Sequence, residues 1–167
     1  MVVNKVLNTH LFKQIAKNSN NPGKLIMSTL PIRIILVDDH KLVREAWKML
    51  LANNPRIEII AECENGQSAI DHAHALLPDI MLVDINMSPM NGFELTKELV
   101  ETIPNIKIIA LSVNNQPRYA EKMLDLGAKG YMTKTSSLEE INRGIMQVFE
   151  GDIYICNEVR KNMPSFD

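Results

Sequence analysis

Apolar residues in this chain fall into short, nearly unbroken runs separated by stretches of helical spacing. The segments "IRIILV" (32–37), "IEIIAE" (57–62), "DIMLVD" (79–84), "IKIIALS" (106–112) and "KGYMT" (129–133) read as strands. Their continuous apolar character suits parallel strands covered on both faces. Residues 41–52, 66–77, 91–102, 116–126 and 137–150 carry the intervening helical patterns. Asn91 with Glu94, and Ser137 with Glu140, each fit a capping box, and Gly127 stands where a helix C-terminus needs glycine. Strand and helix in repeated alternation predict an α/β domain built on a doubly wound parallel sheet.

In such sheets the chemistry gathers beyond the carboxyl ends of the strands. Asp38 and Asp39 follow the first strand and Asp84 ends the third. A single aspartate there reads equally well as a helix cap. Three in one crevice repel one another unless a cation sits among them. A hard divalent ion such as Mg²⁺, which takes few carboxylates and completes its shell with water and phosphate oxygens, removes that conflict. Ser112 closes the fourth strand and Lys134 follows the fifth, adding a hydroxyl and an ammonium that suit a transferring phosphoryl group. His40 adjoins the acids and reads as a helix-start residue pointing elsewhere. His72 and His74 read as exposed helix residues. There is no Walker-type or dinucleotide glycine loop.

Composition narrows the rest. At 167 residues the chain accommodates one domain with additional sequence. No run of about 18 apolar residues predicts a membrane span. Cys63 and Cys156 form no C-x-x-C pair and read as reduced thiols of a cytoplasmic protein. Residues 1–26 hold Lys5, Lys13, Lys17 and Lys24 and no acid, so the remainder is more acidic than the formal charge of −2 suggests. Such a surface argues against direct nucleic-acid binding. Val3, Val6, Leu7, Leu11 and Ile15 recur at helical spacing before the linker-like "KNSNNPGKL", and Met27 resembles an internal start. Residues 1–30 therefore read as a flexible N-terminal extension, 31–150 as the domain, and 151–167 as a tail, the possible start of an interdomain linker.

The set "VDDH", "VDINMSPMNG", "ALS" and "GAKGYMTK" resembles the receiver domain of two-component response regulators, over about residues 31–150. "DDHKLVREAWKMLL" and "GDIYICNEVRKNM" are similar to the LuxR-type (NarL/FixJ-like) subfamily. The resemblance implies a flavodoxin-like, five-stranded sheet of order 2-1-3-4-5. It implies that Asp84 accepts a phosphoryl group from a sensor histidine kinase. Mg²⁺ would be held by Asp38, Asp39, Asp84 and the backbone carbonyl of Asn86, with Ser112 and Lys134 contacting the phosphoryl group. Ser112 and Tyr131 would act as the switch, altering the surface of the fourth helix, fifth strand and fifth helix. A homodimer on phosphorylation, and transcriptional output through a DNA-binding domain outside this chain, are further implications. Such a domain catalyses its own phosphorylation and dephosphorylation rather than turning over a separate substrate.

Two positions depart from the family pattern. Ser88 stands where proline usually follows the methionine, with Pro89 next, and Thr135 stands where many receivers have proline. The alternative reading is a pseudo-receiver, a protein-interaction module that takes no phosphate. An aspartyl phosphatase of haloacid-dehalogenase type wants Asp where Asn86 stands. A flavodoxin-like cofactor binder wants a phosphate-cradling loop where "DDHK" stands.

Overall fold

The computed structural model describes residues 30–163. The elements in chain order are β1 (Ile32–Val37), α1 (Lys41–Leu51), β2 (Ile57–Cys63), α2 (Gly66–Leu76), β3 (Ile80–Asp84) and α3 (Gly92–Thr102). They continue with β4 (Ile108–Ser112), α4 (Pro117–Asp125), β5 (Gly130–Thr133), α5 (Leu138–Glu150), β6 (Tyr154–Ile155) and α6 (Asn157–Arg160). The five expected strands and five expected helices form within a residue or two of their predicted bounds. Of the N-terminal extension read from residues 1–30, residues 1–29 lie outside the described residues.

All pairings are parallel, in the order β2-β1-β3-β4-β5-β6. The predicted order 2-1-3-4-5 is present with a sixth strand added beside β5. Every residue of β3 and β4 is buried, as unbroken apolar runs require of strands covered on both faces. Edge strand β2 instead leaves Glu58 and Glu62 exposed. Helices α1 and α5 lie against each other, while α2, α3 and α4 form a continuous series. Trp47 and Leu51 of α1 with Ile141, Ile145 and Val148 of α5, and Leu95, Leu99, Ala120 and Met123 of α3 and α4, complete the core.

Local chemistry sets the borders. Asn91 makes a full capping box: its side chain accepts from the amides of Phe93 and Glu94, and Glu94 accepts from Asn91 N. The box expected at Ser137 is only half made. Ser137 Oγ accepts from Glu140 N at 3.2 Å, but the Glu140 carboxylate turns to the tail, accepting from Asn157 N (2.6 Å) and Tyr154 Oη (3.3 Å). Gly127 adopts φ +101° just past α4, a left-handed turn that glycine takes without Cβ strain.

Residues 151–163, read as a tail, add a short strand and a short helix to the sheet. Tyr154 and Cys156 donate their amides to Lys129 O and Tyr131 O, each at 3.0 Å, extending the sheet. Tyr154, Cys156 and Val159 are buried. The alternation of buried and outward positions along 154–156 is the strand signature, too short to stand out against the preceding helix.

Candidate functional site

Register brings the site together. Val37 pairs with Val83, so Asp38 and Asp84 emerge side by side from β1 and β3, where strand order reverses. Asp84 pairs with Leu111, one residue before Ser112, and Ser112 pairs with Thr133, one residue before Lys134. Four successive strand ends thus deliver four reactive groups to one crevice.

Asp38 and Asp84 are fully buried side chains, Asp39 is partly exposed and His40 is open to solvent. Lys134 Nζ donates to Asp38 Oδ2 at 2.7 Å and lies 3.1 Å from Asp84 Oδ2. Asn86 N donates to Asp84 Oδ1 at 3.1 Å, setting that peptide against the carboxylate. Asp84 Oδ2 and Asp39 Oδ1 are buried oxygens that receive no aligned hydrogen bond, although Lys134 Nζ and His40 Nδ1 stand beside them.

Burial pushes the Asp84 carboxyl above the ordinary carboxylate range, and the Asn86 amide and the Lys134 charge only partly offset it. For Lys134, burial works against the ammonium, but the Asp38 and Asp84 carboxylates outweigh it and its pKa stands above the usual lysine value. The ammonium is therefore a fixed positive charge in the crevice.

His40 corrects the sequence expectation. Its Nδ1 lies 2.7 Å from Asp39 Oδ1 and 3.3 Å from Asp38 Oδ1, and its backbone N donates to Asp38 Oδ1 at 2.8 Å. The helix-start position directs the imidazole at the acids rather than away. Ligand atoms of Asp38, Asp39, His40 and Asp84 all lie within 4.8 Å of one another. The orphaned oxygens of Asp39 and Asp84 and the oxygen-rich donor set fit a hard divalent cation.

Ser112 is buried, and its Oγ accepts from Asn114 N at 3.0 Å. Tyr131 is fully buried, with its hydroxyl donating to Asn114 O at 2.8 Å, so the ring already points inward. The loop after Ser112 therefore ties serine and tyrosine together through one residue, Asn114. The Ser88–Pro89 peptide bond is cis.

A family profile described as the response regulator receiver domain matches residues 34–145. The chain belongs to the response regulator receiver family. This receiver domain is 35% identical over 132 residues to the transcriptional regulatory protein DegU of Brevibacillus brevis, covering 79% of this chain and 56% of that protein. It is 33% identical over 132 residues to the response regulator GacA of Pseudomonas viridiflava, covering 79% of this chain and 62% of that protein. The chain thus spans little more than half the length of these relatives. Among solved structures, a LuxR-family two-component response regulator from Aurantimonas sp. SI85-9A1 superposes with a TM-score of 0.76 at 26% identity, covering 79% of this chain and 94% of that one. The receiver is of LuxR type, and such domains serve phosphorylation-dependent signalling in two-component systems. No helix among the described residues is long and apolar enough to cross a membrane.

Proposed function

We propose that this receiver is a phosphorylation switch whose acceptor is Asp84, charged by a sensor histidine kinase. The observation that carries this reading is the Asp84 carboxylate itself: buried, one oxygen held by Asn86 N, the other without an aligned hydrogen bond and 3.1 Å from Lys134 Nζ. Burial without full hydrogen bonding leaves that oxygen more basic and more nucleophilic than a solvated carboxylate. As the bond from phosphorus to the kinase histidine nitrogen breaks, a bond to an Asp84 oxygen forms. Lys134 stands where it balances the added charge, and Ser112 Oγ offers a hydroxyl from the adjacent strand end.

Asp38, Asp39, Asp84 and the backbone carbonyl of Asn86 would hold Mg²⁺, which supplies neutralisation of the phosphoryl oxygens when bound. His40 buttresses Asp39 from the solvent side. Drawing Ser112 toward a phosphoryl oxygen would pull on Asn114 and so on Tyr131, carrying the change to α4, β5 and α5. A two-state surface biased by one local charge change is enough for such a switch. The output is transcriptional control, with a kinase and, in the phosphorylated state, a second copy of the chain as partners.

The test is intact mass after incubation with acetyl phosphate, with and without Mg²⁺, beside Asp84→Asn. A Mg²⁺-dependent gain of one phosphoryl group, absent in the variant, is expected. Gain in both proteins would move the acceptor elsewhere. No gain in the folded wild type, even with phosphorylated kinase, would leave the interaction-module reading.

A further inference from the structure

The tail that packs as β6 and α6 reaches the two loops carrying Ser112 and Lys134, and one side chain touches both. Glu158 Oε2 accepts from Thr133 Oγ1 at 2.9 Å and from Thr135 Oγ1 at 3.3 Å. Those two threonines bracket Lys134. Glu158 Oε1 accepts from Asn115 Nδ2 at 2.8 Å, in the loop that follows Ser112. Asn162, one helical turn further on, directs its amide toward both Glu158 O and Asn115 O, at 3.3 and 3.5 Å. The hydrogen bonds from Asn115 and Thr133 hold the Glu158 carboxyl below the ordinary glutamate range, consistent with a carboxylate occupied by donors.

We infer that Glu158 is a positioning residue, a latch that joins the Ser112 loop to the Lys134 loop and couples both to the docked tail. The inference rests on the phosphoryl reading of Asp84, since the latch acts through groups that reading uses. Thr133 is buried and its hydroxyl donates to Glu158, so the backbone entering Lys134 is held in part from the tail side. In the latched arrangement Tyr131 is inward and Lys134 reaches Asp84. The switch reading has phosphorylation draw Tyr131 inward, and Tyr131 is inward in the latched arrangement, so the latch favours that state. Linkage makes the relation reciprocal: what favours phosphoryl binding tightens the tail, and a docked tail strengthens phosphoryl binding.

The test measures the affinity of the full chain for beryllofluoride with Mg²⁺ in the wild type, Glu158→Ala, Glu158→Gln and the exposed-tail control Asp152→Ala. Amide chemical shifts of residues 154–162 are followed in the same titrations. Glu158→Ala is expected to weaken beryllofluoride binding about fivefold. Glu158→Gln, which keeps one acceptor oxygen, should lose less, and Asp152→Ala nothing. In the wild type the tail amides should move on binding, and in Glu158→Ala that response should vanish. A purely structural role loosens the tail but leaves the affinity at the wild-type value, and that result overturns the latch. Should Glu158→Ala fail to fold, Glu158→Gln decides alone by the same two readouts. Wild-type protein that does not bind beryllofluoride at all overturns the phosphoryl reading and the latch with it. Wild-type binding with unchanged variant affinity overturns the latch only.

Discussion

Lys134 stands 3.1 Å from Asp84 yet donates its aligned hydrogen bond to Asp38, at 2.7 Å. The ammonium therefore neutralises the pair of acids while leaving an Asp84 oxygen open. Removing it strands two buried carboxylates. Lys134→Met is expected to destabilise the fold by about 3 kcal/mol in urea denaturation without divalent cation. Added Mg²⁺ should restore more stability to the variant than it adds to the wild type. A variant as stable as wild type without the cation would show that the acids do not share the crevice as described.

Asp84→Asn should stabilise the protein. The Asp84 carboxyl has a raised pKa in the folded state, chiefly from burial, so its ionisation opposes folding. That opposition is absent at a pH below the ordinary carboxyl range, about 4, and develops as pH rises through the shifted value. The gain from Asp84→Asn should accordingly be larger near neutrality than in acid. Urea midpoints across that window check the sign, and a gain independent of pH would contradict it.

Burial pushes the Tyr131 phenol up to about 12 from an ordinary 10.0. A raised folded-state pKa means that the stability it contributes is complete below 10.0 and lost as pH rises to about 12. Tyr131→Phe should remove that part of the alkaline loss, together with one late-ionising phenol in the ultraviolet titration. It also deletes the bond to Asn114 O. An alkaline stability profile unchanged by the substitution would show that another group governs it.

Gly92 is fixed by closeness to the end of β3. A Cβ there would lie 2.5 Å from Asp84 O and 2.6 Å from Ile85 Cα, both backbone atoms that no rotamer change can move aside. Gly92→Ala should cost about 2 kcal/mol. Because the displaced backbone belongs to Asp84, acetyl-phosphate uptake should slow as well. Unaltered stability and uptake would mean that α3 can shift without disturbing β3.

Most of this architecture is legible in the chain. Five strands announce themselves because parallel, doubly covered strands need unbroken apolar runs, and Asp38, Asp84, Ser112 and Lys134 fall at successive strand ends. Asn91 and Gly127 mark their helix borders correctly, since both depend on local backbone chemistry. What depended on distant contacts did not show. The Glu140 carboxylate leaves its expected cap for Tyr154 and Asn157, a choice fixed only once the tail docks. His40 turns toward Asp39, which spacing alone could not decide. Glu158 and Asn115, brought together across 43 residues, carry no periodic or motif signal at all.

The two residues of β6 also determine what can approach the sheet. Without them the outer side of β5, the strand that bears Tyr131 and leads into Lys134, would present unpaired backbone groups beside the acidic crevice. Such an edge is a template on which a strand from another molecule can add. Tyr154 and Cys156 already occupy those groups by donating to Lys129 O and Tyr131 O. Their own strand is too short to offer a comparable template. Self-association by strand addition is thereby kept away from the side of the sheet that carries Tyr131 and Lys134, and left to the acid-studded edge at β2.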